Sequence, residues 1–138
     1  MTLHVELAVP DGEVWAGEAE LVIAKTLDGD IGVLTGHSPV LGILAEGSVV
    51  RIQTESGGGD GQARDEVVAA VSGGFFSVAD NRVSILARHA QLGSEVDAQA
   101  AHAALDEALQ AASGGEEPAD ARYSRALLRA AGEPADRA

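Results

Sequence analysis

The chain has 138 residues, of which 22 are acidic and nine basic, for a net charge of −13. This length fits one domain, or one small domain with an appendage, and the charge excludes nucleic acid as a partner because phosphate would be repelled. There is no cysteine, and hydrophobic residues reach 46% with only 3% aromatics, so thiol chemistry and disorder are excluded and the core must be Val, Ile, Leu and Ala.

Residues 3–88 are expected to form strands. Leu3, Val5, Leu7 and Val9 alternate with His4, Glu6 and Ala8, a period of two. Pro10-Asp11-Gly12 supplies a turn, and Val14-Trp15-Ala16 restarts the chain. Leu21–Leu27 is rich in Val, Ile and Thr and ends at Asp28-Gly29-Asp30. Ile31–Leu34, Val40–Leu44 and Ser48–Thr54 follow, separated by Thr35-Gly36-His37-Ser38-Pro39 and Ala45-Glu46-Gly47. Gly57–Gly61 reads as a flexible hairpin; it lacks the Lys-Ser/Thr of a phosphate loop. Glu66–Val71, Phe75–Ala79 and Val83–Ala87 complete the series, and the apolar run Val67–Val71 is expected to be buried on both faces. Short strands closed by Gly, Pro, Asp or Asn point to a β-sandwich or barrel.

After Arg88 the period changes. Ser94-Glu95-Val96-Asp97 has the form of a helix start, and a helix is expected to run to Ala112 with Ala101, Leu105, Ala108, Leu109 and Ala112 on its apolar face. Ser113–Pro118 breaks it, and Ala119–Ala131 reads as a second helix stopped by Gly132 and Pro134. Tyr123, Leu127 and Ala130 are its expected apolar stripe, beside Arg122, Arg125 and Arg129. The expected fold class is α+β: an antiparallel β-sandwich over residues 1–89, then an α-helical hairpin over residues 90–138. The hairpin faces are mostly Ala and bury little area, so weak attachment is expected. Residues 122–138 carry four arginines and two acids, against five basic and 20 acidic residues before them.

Nothing here supports catalysis. His4, His37, His89 and His102 are scattered without metal spacing, and no nucleophile and base can be paired. No stretch approaches the ~20 apolar residues of a membrane span. The start Met1-Thr2-Leu3-His4-Val5-Glu6 lacks the basic and apolar regions of a signal peptide, so an intracellular chain without direct lipid insertion is expected. On the residues alone, a free-standing acidic β-sandwich that binds a ligand or protein fits.

Four segments carry a resemblance. Gly29-Asp30-Ile31-Gly32-Val33-Leu34-Thr35-Gly36-His37-Ser38-Pro39-Val40 resembles the G-[DE]-[IL]-G-[IV]-x-x-x-H-x-P segment of the epsilon subunit of bacterial F-type ATP synthases. Leu7–Gly12 with Val14–Gly17 resembles that family's first hairpin. Val71–Val78 resembles its GGF-x-x-V stretch, and Val83–Ala87 resembles its last strand. The Ala, Arg and Gly usage suits an actinobacterial source.

The resemblance implies a non-catalytic rotor subunit on the central stalk of a proton-translocating synthase, coupling c-ring rotation to ATP synthesis. It implies a peripheral position on the cytoplasmic face of the plasma membrane, with the gamma subunit and the c-subunit ring as partners and no cofactor or metal. Asp30, Gly32, Gly36, His37 and Pro39 are the implied c-ring contact. Extended, the hairpin would restrain ATP hydrolysis by docking Arg122, Arg125 and Arg129 on the beta subunits. Some members bind ATP through [IL]-D-x-x-R-A; Val96–Ala101 keeps Asp97 but has Ala100 where the arginine stands, and alanine offers phosphate no donors.

Overall fold

The computed structural model describes residues 2–54, 66–111 and 119–132. The glycine run 57–61, the breaker segment 113–118 and Pro134 lie outside the described residues. Ten strands are described: β1 (Leu3–Val9), β2 (Gly12–Ala19), β3 (Leu21–Thr26), β4 (Gly29–Leu34), β5 (Val40–Ile43), β6 (Ser48–Gln53), β7 (Glu66–Ser72), β8 (Phe75–Ala79), β9 (Arg82–Leu86) and β10 (His89–Leu92). A 3₁₀ turn at Gly93–Glu95 leads to α1 (Ala98–Ala111) and α2 (Ala119–Ala130). The first sheet has the order β2-β1-β9-β8-β5 and the second β10-β7-β6-β3-β4. The expected sandwich followed by two helices is what the chain forms.

The alternation in β1 sends Leu3, Val5 and Leu7 inward, fully buried, and leaves His4 and Glu6 exposed. Phe76, Ile85, Ile52 and Val50 fill the space between the sheets. The β8–β9 turn holds Asp80 and Asn81 at φ 52° and 61°. Left-handed backbone at both central residues matches the twist of a tight hairpin, and Asp and Asn tolerate it. In β7, Ala69, Ala70 and Val71 are all fully buried. One face of this strand meets the core and the other lies under α2, which accounts for the unbroken apolar run.

Three local features differ from the sequence reading. β1 pairs with β9 in parallel, Val5 opposite Val83, whereas the other described pairs are antiparallel. β10 continues the strands past Arg88 and pairs with β7, Ala90 opposite Val71. Its sequence, His-Ala-Gln-Leu, has little of the β-branched content that marks a strand. The helix start is Asp97 rather than Ser94: Asp97 Oδ1 accepts the Ala100 N–H at 3.1 Å, while Ser94 sits in the 3₁₀ turn.

The helices also bury other faces than expected. Ala101 and Leu105 of α1 cluster with Ala121 and Leu128 of α2, but Leu109 remains 39% exposed. In α2 the fully buried residues are Ala121, Ala126 and Leu128, with Ser124 buried beside them; Tyr123, Leu127 and Ala130 are half-buried. Five positions place Ala126 on roughly the opposite side of the helix from Ala121. Helix α2 is therefore enclosed from two sides, by α1 and by β6 and β7. A single apolar stripe describes a helix with one covered face, so it does not describe α2.

Candidate functional site

The five expected ring-contact residues do not form one cluster. Asp30 stands near the start of β4, opposite Lys25, and is exposed. Gly32 is mid-strand opposite Ile23. Gly36, His37 and Pro39 lie in the loop beyond Leu34. Four strand steps at ~3.3 Å put Asp30 about 13 Å from Leu34, so the acid and the histidine lie at opposite ends of β4. The Gly36 N–H donates to Asn81 Oδ1 at 2.6 Å, fastening this loop to the β8–β9 turn. His37 is half-buried. Its N–H donates to the Leu34 carbonyl at 3.2 Å and its ring Nδ1 lies 2.7 Å from the Ser38 carbonyl. A carbonyl only accepts, so Nδ1 carries the proton. The exposed end of β4 is the Leu27–Asp28 turn, capped by the Thr26 hydroxyl, which donates to the Gly29 carbonyl at 2.8 Å and accepts the Asp28 N–H at 3.1 Å.

The three expected docking arginines are brought together. Arg122, Arg125 and Arg129 line one side of a cleft of about 650 Å³ between α2 and the second sheet, and Lys25 and Arg51 line the other. The two sheet cations come from separate strands, so no periodicity in the sequence joins them to the helix row. Two acids, Asp30 and Glu46, also border the cleft. Glu46 spans two partners: Oε1 accepts from Arg88 at 2.9 Å and Oε2 from Arg122 at 3.3 Å. Beyond the cleft Arg51 also meets Glu66 at 3.1 Å. Tyr123, half-buried on α2, sits with its ring centroid 6.0 Å from that of His89, and burial raises its phenol above the ordinary value. Asp97 serves as the α1 cap.

The outer face of the first sheet carries a surface that sequence reading missed. Ile43, Phe75, Leu86 and Ala8 stand side by side across β5, β8, β9 and β1. Leu41 is 71% exposed, Ile43 60%, Phe75 43% and Leu86 44%. Leu27, 69% exposed, extends the row, because its N–H donates to the Ile43 carbonyl at 3.0 Å. Alternation in β5 and β8 fixes that one of two residue sets points outward; both sets are apolar, so the outward one resembles core. The β1–β2 end of the same face is charged. There His4 meets Glu6 at 3.4 Å and Glu18 at 3.2 Å. Hydrogen bonds from Thr2 and His4 hold the Glu18 carboxyl below the usual carboxylate range.

Residues 2–93 match the profile of the ATP synthase delta/epsilon chain beta-sandwich domain. The chain belongs to the ATP synthase delta/epsilon chain family. The match within this delta/epsilon family spans all ten strands, β10 included. The ATP synthase epsilon chain of Streptomyces coelicolor is 48% identical over 130 residues, which cover 94% of this chain and 96% of that one. The epsilon chain of Thermobifida fusca is 50% identical over 133 residues, covering 94% and 91%. These epsilon-chain relatives are actinobacterial, in keeping with the composition. A chain of the Euglena gracilis mitochondrial ATP synthase has the same fold at a TM-score of 0.67 and 24% identity, covering 92% of this chain and 75% of that one. A chain of the Tetrahymena thermophila mitochondrial synthase gives 0.57 at 16% identity, covering 95% and 91%.

Proposed function

We propose that this chain is a non-catalytic rotor subunit of the central stalk of a proton-translocating bacterial ATP synthase, coupling ring rotation to ATP synthesis. It would sit peripherally on the cytoplasmic face of the plasma membrane. Near full-length likeness to epsilon chains supports the assignment. The observation that carries the mechanism is the uncovered apolar row Leu41, Ile43, Phe75 and Leu86. Helix α2 covers the second sheet, so the first sheet is the face left for the gamma subunit. A contiguous apolar strip with a charged margin is what a stalk contact needs. Close-packed cores deform little, and a sandwich seated on this face transmits torque as a rigid body.

The c-ring contact is assigned to the Leu27–Asp30 turn, with Asp30 as its polar group, because every residue of that turn is exposed. Gly36, His37 and Pro39 shape the loop at the far end of β4, and Gly32 keeps the strand between them slim. The hairpin is the regulatory element. Released from the sandwich, Arg122, Arg125 and Arg129 would reach acidic surface on the beta subunits and restrain hydrolysis.

The test is affinity recovery of the tagged chain from detergent-solubilised membranes, with mass spectrometry of what accompanies it. Wild-type chain brings gamma, alpha, beta and c subunits. Paired Ile43→Glu and Phe75→Glu substitutions lose them, because two central anchors at about 2 kcal/mol each correspond to some thirtyfold weaker binding per residue. Recovery of the wild-type chain alone, with the synthase intact, overturns the rotor reading. Full recovery with the double variant overturns the assigned face.

A further inference from the structure

Helix α2 touches the sandwich backbone-to-backbone at both ends. Near its start the turn residue Gly47, at φ +64°, lies directly beneath Arg122; a Cβ there would run into the Arg122 backbone. Near its end Gly93 lies against Ala130, and a Cβ there would run into the Ala130 carbonyl. Contacts this close leave no room for water, so the docked helix is seated rather than loosely apposed. Arg122, Arg125 and Arg129 share the lining of the cleft with Lys25 and Arg51, so cations outnumber the acids there. Glu46 and Asp30 are the acids at the cleft, and Glu46 pairs with Arg122 of α2 at 3.3 Å. Arg88 grips its other oxygen from the sandwich side, which fixes the carboxylate in place before the helix arrives.

We propose that Glu46 is the latch of the hairpin: an acidic group of the sandwich, held ready by Arg88, that occupies the first arginine of the α2 row. Docking and release are then alternative uses of the same cation. An acidic partner that draws Arg122 away must displace Glu46. The latch is a contact within this chain; only its effect on hydrolysis rests on the regulatory reading above.

Amide hydrogen exchange on the full chain tests it. Exposed ion pairs contribute up to about 1 kcal/mol, so Glu46→Gln raises exchange in residues 119–130 up to roughly fivefold. Glu46→Arg, which adds repulsion, raises it further. Combining Glu46→Arg with Arg122→Glu restores protection by reversing the pair. Gly93→Ala releases the far end by collision, with no change of charge. In all four, exchange in β1 and β9 stays at wild-type rates. Unchanged α2 exchange in Glu46→Arg, or no recovery in the swapped pair, overturns the latch. Faster α2 exchange with unaltered ATP hydrolysis in the reconstituted complex keeps the latch and overturns the regulatory reading instead.

Discussion

Tyr123 is the only tyrosine of the chain, and it sits on α2 beside His89. Its phenol is therefore a built-in reporter of docking. Burial raises its folded-state value above that of an ordinary tyrosine, so as pH climbs the undocked chain gives up this proton first. The contribution to docking is whole below the ordinary value and is lost as pH rises through the folded one. Ultraviolet difference titration should find the tyrosine ionising later than a free tyrosine in the wild-type chain. Gly47→Ala, whose added Cβ collides with the backbone of the adjacent Arg122, should return it toward the ordinary value; an unmoved titration in that variant would show that the phenol is not sensing α2. At this scale the sequence was legible where a residue acts through its backbone neighbours. Pro10-Asp11-Gly12 announced a turn that the chain makes. The Glu46 clasp was not legible, because Glu46, Arg88 and Arg122 are separated by 42 and 76 positions and only the fold brings them together.

Among the elements, the strands were readable because burial on one face imposes a period of two, and β1 displays it cleanly. The helices were readable as helices but not in their facing. Helix α1 packs chiefly on α2 and has no comparable contact with either sheet, whereas α2 lies between α1 and the second sheet. The hairpin is accordingly expected to detach in two steps, α1 before α2. Leu128, fully buried in the small cluster with Ala101 and Leu105, belongs to the outer step. Leu128→Ala should cost about 2–4 kcal/mol and should free α1 while leaving α2 seated. Hydrogen exchange should then rise across residues 98–111 much more than across residues 119–130. Equal loosening of both helices would mean that the hairpin leaves the sandwich as one piece. The melting of Trp15 fluorescence, which follows the sandwich through β2, should be unaffected.

For the whole molecule, the arrangement assigns one job to each exposed region. On the proposed reading the first sheet would offer its bare face to the stalk and the Leu27–Asp30 turn would face the ring, while the second sheet carries the hairpin. Sequence resemblance joined Asp30 and His37 in one segment, and the fold divides them because β4 runs between. Cysteines placed singly at the two positions can tell the ends apart. Asp30→Cys should cross-link to a loop cysteine on the c subunit within the assembled synthase, and His37→Cys should not. The reverse pattern would move the ring contact to the loop at residues 35–39. The parallel pairing of β1 with β9 carries a further consequence, for the order of events during synthesis. Val5 cannot meet Val83 until the chain has been made through β9, so the first strand waits on the ribosome with only β2 beside it. Distant pairings of this kind are slow to close. The bare face proposed for the stalk is therefore among the last surfaces to take shape, and a half-made subunit would have no completed face with which to capture a partner prematurely.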